Sequence, residues 1–205
     1  EGLFMKTLTY RIIFLILAIS HSGTTFSESR IKSLENTEPT RILFIGNSYL
    51  YYNDSLHNHL RRMAEEKFPD RFFSIGIAEQ NATTIAAGLA LSGKIPFFAS
   101  YGAFCALRNA DQLRISVCYN EANVKIGGGH SGISVGPDGA THQVLEEVAF
   151  LRTLPHMTLV VPCDYEEARK ATIAIGEHVG PAYIRFGRSP VPLFTTPEHP
   201  FALGK

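Results

Sequence analysis

The sequence lacks several features that mark specialised classes of protein. It has no tryptophan and only three cysteines among 205 residues, and its 19 basic side chains balance 19 acidic ones. Three widely spaced cysteines without a C-x-x-C pair argue against a disulfide scaffold or a zinc site, and they favour buried reduced thiols. Zero net charge without long runs of one sign predicts no nucleic-acid partner and favours small ligands.

No apolar run is long enough to span a bilayer as an ordinary helix, but one resembles part of a secretory signal peptide. Basic residues Lys6 and Arg11 follow Met5, and the apolar run IIFLILAI then precedes small and polar residues. Residues 1–27 therefore predict secretion, with a buried helix as the alternative interpretation of the run. Residues 28–40 form a polar linker.

Residues 41–66 predict a strand, a turn and a helix. The apolar run Ile42–Ile45 ends in glycine, and FIGNSY resembles the first block of SGNH/GDSL-type hydrolases, in which Ser48 would be the nucleophile. The later blocks of that family are not recognisable. The Asp-x-x-His sequence here, Asp54 to His57, lies on the next helix. A turn serine is the favoured interpretation, and a secreted ester hydrolase stays an alternative.

From about residue 67 the predicted strands and helices alternate. Strands are predicted at Phe72–Ile75, Ile95–Ala99, Val124–Gly127, Thr158–Val161 and Ala182–Phe186. Helices are predicted near 78–92, 103–116, 142–153 and 164–178. This order predicts an α/β fold, with a mostly parallel, doubly wound sheet and helices on both faces. Ligands of such sheets bind at the carboxyl ends of the strands.

Polar residues follow two of these predicted strands. Glu79 stands in the first turn of the helix after the first strand, where the helix dipole alone would also favour an acid. The loop GGGHSGISVGPDGATHQ carries His130, Asp138 and His142 among glycines that permit close approach of a ligand. A structural turn stays an alternative for this loop. A metal site is a weaker alternative, because the spacing matches no usual ligand pattern.

Five segments, taken in order and spacing, resemble the pyrimidine-binding domain of transketolases. They are DRFFSIGIAEQN, DQLRISV, HSGISVGPDGATHQ, LRTLPHMTLVVPCD and GPAYIRFGR, and they cover about residues 67–205. The carboxyl-terminal subunit of split bacterial transketolases is the nearest resemblance. Deoxyxylulose-phosphate synthases share GIAEQ and DGxTHQ and form the alternative. The resemblance implies a thiamine diphosphate-binding fold, a cytoplasmic location, and transfer of a two-carbon ketol unit between sugar phosphates.

The same resemblance implies roles for individual residues toward the cofactor. Glu79 would bond to N1′ of the aminopyrimidine ring of thiamine diphosphate, and this role requires a carboxyl group that shares a proton in an apolar pocket. Tyr101 and Phe104 would pack on the ring. Phenylalanine is common in the family at the first of these positions, so Tyr101 is a mild departure.

The implied roles toward substrate concern the glycine-rich loop and a later arginine. His130 and Arg188 would contact the sugar phosphate, since histidine and arginine form charge-assisted hydrogen bonds to phosphate. Asp138 would accept from the C2 hydroxyl of an aldose. His142 would act on the C1 hydroxyl of the ketose donor, as a catalytic as well as a binding residue.

The resemblance also implies a partner. Thiamine enzymes hold the diphosphate and its Mg²⁺ or Ca²⁺ with a Gly-Asp-Gly motif on a separate domain, and this chain has no such motif. We therefore expect a diphosphate-binding amino-terminal subunit in a dimer or heterotetramer. The simplest account of the whole sequence is a chimera joined near Glu66–Asp70, and an inactive chimeric fragment stays an alternative.

Overall fold

The computed structural model describes residues 71–204 and two earlier strands, β1 (Ile12–Leu15) and β2 (Leu43–Gly46). Strand β2 agrees with the strand predicted before the glycine turn. Strand β1 falls in the apolar run of the signal-like segment, in place of the helix considered there. Ser48, Asp54 and His57 lie outside the described residues, so the turn serine stays the favoured interpretation and the hydrolase-like site stays an alternative. None of the helices in the described ranges is long and apolar enough to cross a membrane.

The remaining elements alternate as the sequence predicts. The strands are β3 (Phe72–Ser74), β4 (Ile95–Tyr101), β5 (Lys125–Gly129), β6 (Thr158–Val160) and β7 (Ala182–Arg185). The α-helices are α1 (Glu79–Leu91), α2 (Ala110–Gln112), α3 (Glu147–Leu151) and α4 (Tyr165–Glu177). Wider π-helical turns, Phe104–Arg108 and Leu113–Tyr119, flank α2, and a 3₁₀ turn covers Gly136–Asp138.

All the described strands belong to one parallel sheet in the order β1-β3-β2-β4-β5-β7-β6. Neighbouring side chains of one strand point to opposite faces. Phe98 and Tyr183 accordingly pack with α1, the π-helical turns and α3 on one face. Phe97 and Ile184 pack with α4 on the other face. The predicted doubly wound α/β fold is therefore confirmed.

The predicted helix over 142–153 is wrong in its first half. Gly132 and Val144 form an antiparallel bridge, with N···O distances of 3.0 and 3.2 Å in the two directions. Because this bridge uses the backbone of Val144, helix α3 begins only at Glu147. The predicted helix over 103–116 is also corrected, since it is split into π-helical and α-helical turns and runs on to Tyr119.

The start of α4 agrees with the sequence. Asp164 caps the helix and accepts a hydrogen bond from the Glu167 amide at 2.9 Å, as an aspartate before a helix commonly does. The Glu167 carboxylate accepts from the amide of Cys163 at 2.6 Å. Cys163 is exposed, which corrects the expectation of three buried thiols, whereas Cys105 and Cys118 are buried.

Candidate functional site

Four predicted side chains surround Tyr101 at the carboxyl end of β4. The Tyr101 ring makes edge contacts with His130 and His142, each with 5.1 Å between ring centroids, and with Phe104 at 5.8 Å. Phe104 and His142 also meet edge to face at 4.9 Å. The Tyr101 hydroxyl donates to Asp138 Oδ2 at 3.3 Å. One tyrosine, at the end of β4, therefore holds together residues from the following π-helical turn, the end of β5 and the loop after β5.

The local backbone explains how the loop residues reach this position. His130 directly follows β5 and has a positive φ of 52°, which turns the chain away from the sheet. The bridge between Gly132 and Val144 then closes the loop that carries Asp138 and His142. The Thr141 hydroxyl lies 2.9 Å from Nδ1 of His142 and holds its ring.

Glu79 is a buried carboxylate at the first residue of α1, with 1% of its surface exposed. Its Oε2 atom accepts from Arg108 Nη1 at 2.8 Å, and its Oε1 atom accepts from the Ser100 hydroxyl at 3.4 Å. The Thr83 hydroxyl donates to the Glu79 carbonyl at 2.9 Å, and Asn109 Nδ2 donates to Thr83 at 2.8 Å. These bonds fix both the backbone and the carboxylate of Glu79.

The partner of Glu79 was not predicted from the sequence. Arg108 is 43% exposed, and its guanidinium carbon lies 4.0 Å from the centroid of the Phe104 ring. The surroundings of Glu79 are therefore less apolar than expected, because a cation and a hydroxyl group contact the carboxylate. The spacing of Phe104 and Arg108 by four residues on a predicted helix was the available signal, since such pairs share a face.

Arg188 lies against the loop but not among the rings around Tyr101. A Cβ atom at Gly136 would collide with the Arg188 guanidinium, so the glycine makes room for this side chain. Gly136 also has a positive φ of 80°, a conformation that glycine adopts readily. Arg188 is exposed, and its guanidinium therefore lies at the surface beside the 3₁₀ turn that ends in Asp138.

A second buried ion pair supports the loop, and the sequence did not indicate it. Arg185 Nε donates to Glu147 Oε1 at 2.6 Å, and the Glu147 side chain is 1% exposed. The pair joins the end of β7 to the start of α3. A Cβ atom at Gly132 would lie 3.0 Å from Arg185 Nη2, so the guanidinium also packs against the bridge.

A buried thiol lies beside the site. Burial raises the pKa of Cys105 well above its ordinary value, and the charge of Glu79 adds to this effect. Cys105 Sγ also lies 3.5 Å from the Gly127 carbonyl oxygen, to which it donates. Because the thiolate is the reactive form of cysteine, Cys105 is an inert packing residue here.

The donor set fits the ring of an aminopyrimidine cofactor. The buried Glu79 carboxylate and the Phe104 face both contact the planar Arg108 guanidinium, and a planar ring with a nitrogen at its edge would meet the same two groups. Tyr101 and His142 complete a wall of rings. Aromatic faces and a few fixed polar groups are typical of such ligand sites. The residue roles themselves stay predictions.

The family "Transketolase, pyrimidine binding domain" matches residues 48–192. A putative transketolase C-terminal section of Methanocaldococcus jannaschii is 41% identical over 145 residues, covering 70% of this chain and 46% of that protein. One of the subunits of the apulose-4-phosphate transketolase of Phocaeicola vulgatus is 40% identical over 141 residues, covering 68% of this chain and 45% of that protein. A 1-deoxy-D-xylulose-5-phosphate synthase of Listeria monocytogenes is 46% identical over 126 residues, covering 61% of this chain and 20% of that protein.

The solved structures agree in fold. A chain named "split gene transketolase, inactive beta4 tetramer" superimposes with a TM-score of 0.65 at 41% identity, covering 75% of this chain and 49% of that one. The present chain spans just under half the length of the two curated transketolase relatives named above. The family match begins at residue 48, inside the hydrolase-like stretch, so the boundary of a chimera stays a prediction. The chain belongs to the transketolase pyrimidine-binding domain family.

Proposed function

We propose that this chain contributes the half of a transketolase active site that binds and activates the aminopyrimidine ring of thiamine diphosphate. The reaction is the transfer of a two-carbon ketol unit between sugar phosphates. The observation that carries the proposal is Glu79, a carboxylate 1% exposed at the carboxyl edge of a parallel sheet, beside a wall of aromatic rings. When bound, thiamine diphosphate supplies the carbon nucleophile of the reaction.

The residues of this chain orient the ring and hold a proton. Glu79 shares a proton with N1′, and Ser100 keeps the carboxylate in place through its hydrogen bond to Oε1. Phe104 and Tyr101 limit the ring to one orientation and exclude water from its face. A carboxyl group used in this way contributes about 10²–10⁴ to the rate, the usual range for acid–base catalysis.

The loop after β5 binds the sugar phosphate. Asp138 accepts from the C2 hydroxyl of the aldose, and the Tyr101 hydroxyl holds its carboxylate. His142, held by Thr141, contacts the C1 hydroxyl of the ketose donor. His130 and the exposed Arg188 bind the phosphate through charge-assisted hydrogen bonds.

A second polypeptide supplies the rest of the site. Two relatives are named as a transketolase C-terminal section and as one subunit of a transketolase, and both names describe parts of a divided enzyme. The similar structure named as an inactive β4 tetramer supports the view that such a chain needs its partner. That diphosphate-binding subunit would hold the diphosphate and Mg²⁺ or Ca²⁺, in a dimer or heterotetramer.

Two features of the proposal need separate checks. A deoxyxylulose-phosphate synthase-like activity is the second candidate, favoured by 46% identity to the Listeria monocytogenes synthase. An assay with pyruvate in place of a ketose phosphate as the donor distinguishes this activity from that of a transketolase. We place the chain in the cytoplasm, and intact-mass measurement of the chain from cells tests this against removal of residues 1–27 as a signal peptide.

The experiment combines the full-length chain with the amino-terminal subunit of a split transketolase, thiamine diphosphate and Mg²⁺. Transfer from a ketose phosphate to an aldose phosphate is measured for wild type, Glu79→Gln and Glu166→Gln. We expect Glu79→Gln to lower kcat by about 10²–10⁴, since glutamine has no acid proton. Glu166→Gln on α4 is the matched control and keeps full activity. Equal rates for wild type and Glu79→Gln would refute the assigned role.

A further inference from the structure

Arg108 makes both of the contacts that the proposed function assigns to a cofactor ring. Its Nη1 atom donates to Glu79 Oε2 at 2.8 Å, and its guanidinium lies over the Phe104 ring at 4.0 Å. A guanidinium group is planar, stacks on aromatic faces and donates N–H bonds to carboxylates. An aminopyrimidine ring that bonds to Glu79 and packs on Phe104 needs the same carboxylate and the same aromatic face.

We propose that Arg108 is a competing counter-ion, which occupies the Glu79 carboxylate and the Phe104 face until an aminopyrimidine ring displaces it. The inference rests on the proposed function and adds a residue that sets affinity for the ring. The state that accepts the ring is the one in which Arg108 has left. The apparent dissociation constant is therefore raised by the inverse of the population of that state.

Of the two partners, only Arg108 is exposed enough to leave the ion pair. Arg108 is 43% exposed, so its guanidinium can move into water without a change of the backbone. Glu79 is 1% exposed and cannot follow. A buried carboxylate that loses its partner is costly. Departure of Arg108 and arrival of another N–H donor are therefore coupled events.

The carboxylate keeps its orientation during the exchange. The Ser100 hydroxyl donates to Oε1, and the Thr83 hydroxyl donates to the Glu79 carbonyl. Asn109 in turn donates to Thr83. None of these bonds involves Arg108, so the first turn of α1 presents the same carboxylate before and after the exchange.

Removal of Arg108 should change the affinity for the ring in opposite directions, depending on whether the guanidinium competes with the ring or holds it. If the guanidinium competes with the ring, a variant without it binds the ring more tightly. If the guanidinium stays and clamps the bound ring, the same variant binds it more weakly. Methionine at position 108 keeps the length and the apolar stem of the side chain and removes only the charged fork.

The test titrates the full-length chain with 4-amino-5-hydroxymethyl-2-methylpyrimidine, followed by NMR. This probe has the ring without the diphosphate, so it needs no partner subunit. We expect Arg108→Met to bind it about 1.5- to 5-fold more tightly than wild type, the range for losing a partly exposed ion pair. Arg108→Lys, which keeps the charge without the planar fork, falls between them. Arg114→Met, at an exposed arginine of the next helical turn, binds like wild type.

Each other outcome counts against the competition alone or against both proposals. Equal or weaker binding by a folded Arg108→Met chain, with circular dichroism like wild type, overturns the competition and leaves the pyrimidine site standing. Lack of binding by wild type and by both Arg108 variants overturns the competition and the pyrimidine site together. Methylguanidinium added to Arg108→Ala should raise the dissociation constant of the probe. If it does not, a guanidinium group does not compete for this carboxylate.

Discussion

The ion pair between Arg185 and Glu147 predicts an asymmetric response to removal of either partner. Glu147 has no exposed surface as a residue, and its Oε2 atom has no hydrogen-bond partner within the described part of the chain. Its Oε1 atom accepts from Arg185 at 2.6 Å. The Arg185 side chain is 25% exposed and can reach water. The carboxylate therefore depends on the guanidinium more than the guanidinium depends on it.

The magnitudes follow from this difference in burial. Arg185→Met leaves a buried carboxylate without its charge partner, which costs about 3–5 kcal/mol of folding free energy. Glu147→Gln keeps an oxygen acceptor for Arg185 and frees no buried charge, so we expect about 1–1.5 kcal/mol. The double variant Glu147→Leu/Arg185→Met replaces both partners with apolar groups, and we expect it to be more stable than Arg185→Met.

The assay is urea unfolding of the full-length chain, followed by far-ultraviolet circular dichroism and tyrosine fluorescence, since the chain has no tryptophan. If Arg185→Met does not fold, the comparison of Glu147→Gln with the double variant still tests the asymmetry. The reasoning is refuted if Arg185→Met lies within about 1 kcal/mol of wild type. It is also refuted if the double variant is no more stable than Arg185→Met.

Two further predictions concern pH. Burial lowers the pKa of Lys125 to about 7, so above about pH 7 this side chain binds more protons in the unfolded chain than in the folded chain. Wild-type stability should therefore rise by up to about 1.4 kcal/mol per pH unit between about pH 7 and 8.5, because above that range the buried thiols of Cys105 and Cys118, whose pKa values are raised, act in the opposite direction. Lys125→Met should remove this rise of the unfolding free energy with pH, as measured by urea unfolding. The same dependence on pH in wild type and variant would contradict the prediction. The amide of Glu167, together with donors from Phe194 and Thr195, holds the pKa of Asp164 well below its ordinary value. The contribution of Asp164 to folding stability is therefore present above about pH 4 and is lost as pH falls further. Asp164→Asn should flatten that loss and increase the rate of limited proteolysis within residues 193–196 at pH 7, and a cleavage rate equal to that of wild type would contradict the prediction.

Much of the fold could be predicted because its signals are local. The apolar runs that became β4 and β7 are short and adjoin segments of helical spacing, and Asp164 precedes α4 with Glu167 three residues on. The placement of the loop after β5 followed from a topological rule, since all carboxyl ends of a parallel sheet share one edge. Tyr101 and His142 meet for that reason.

The misses come from contacts between distant parts of the chain. The spacing around Val144 is helical, but the backbone of Val144 pairs with Gly132, so a tertiary bridge overrides the local preference. The Arg108 bond to Glu79 spans 29 positions. Periodicity places Arg108 on the same helical face as Phe104, but it carries no information on a pair this far apart in the sequence, so it does not identify Arg108 as the partner of Glu79.

The sequence leaves two interpretations of Glu79, a helix-dipole acid or a functional carboxylate, and its burial bears on the choice between them. An acid in the first turn of a helix stabilises it by about 0.3–1 kcal/mol, and it does so while exposed to water. Burying a carboxylate costs several kcal/mol before any partner is counted. Glu79 is 1% exposed and is held by Ser100 as well as Arg108. Helix stability alone would favour an exposed acid at this position, so the burial of Glu79 supports the proposed role toward a ligand, and that role stays a prediction.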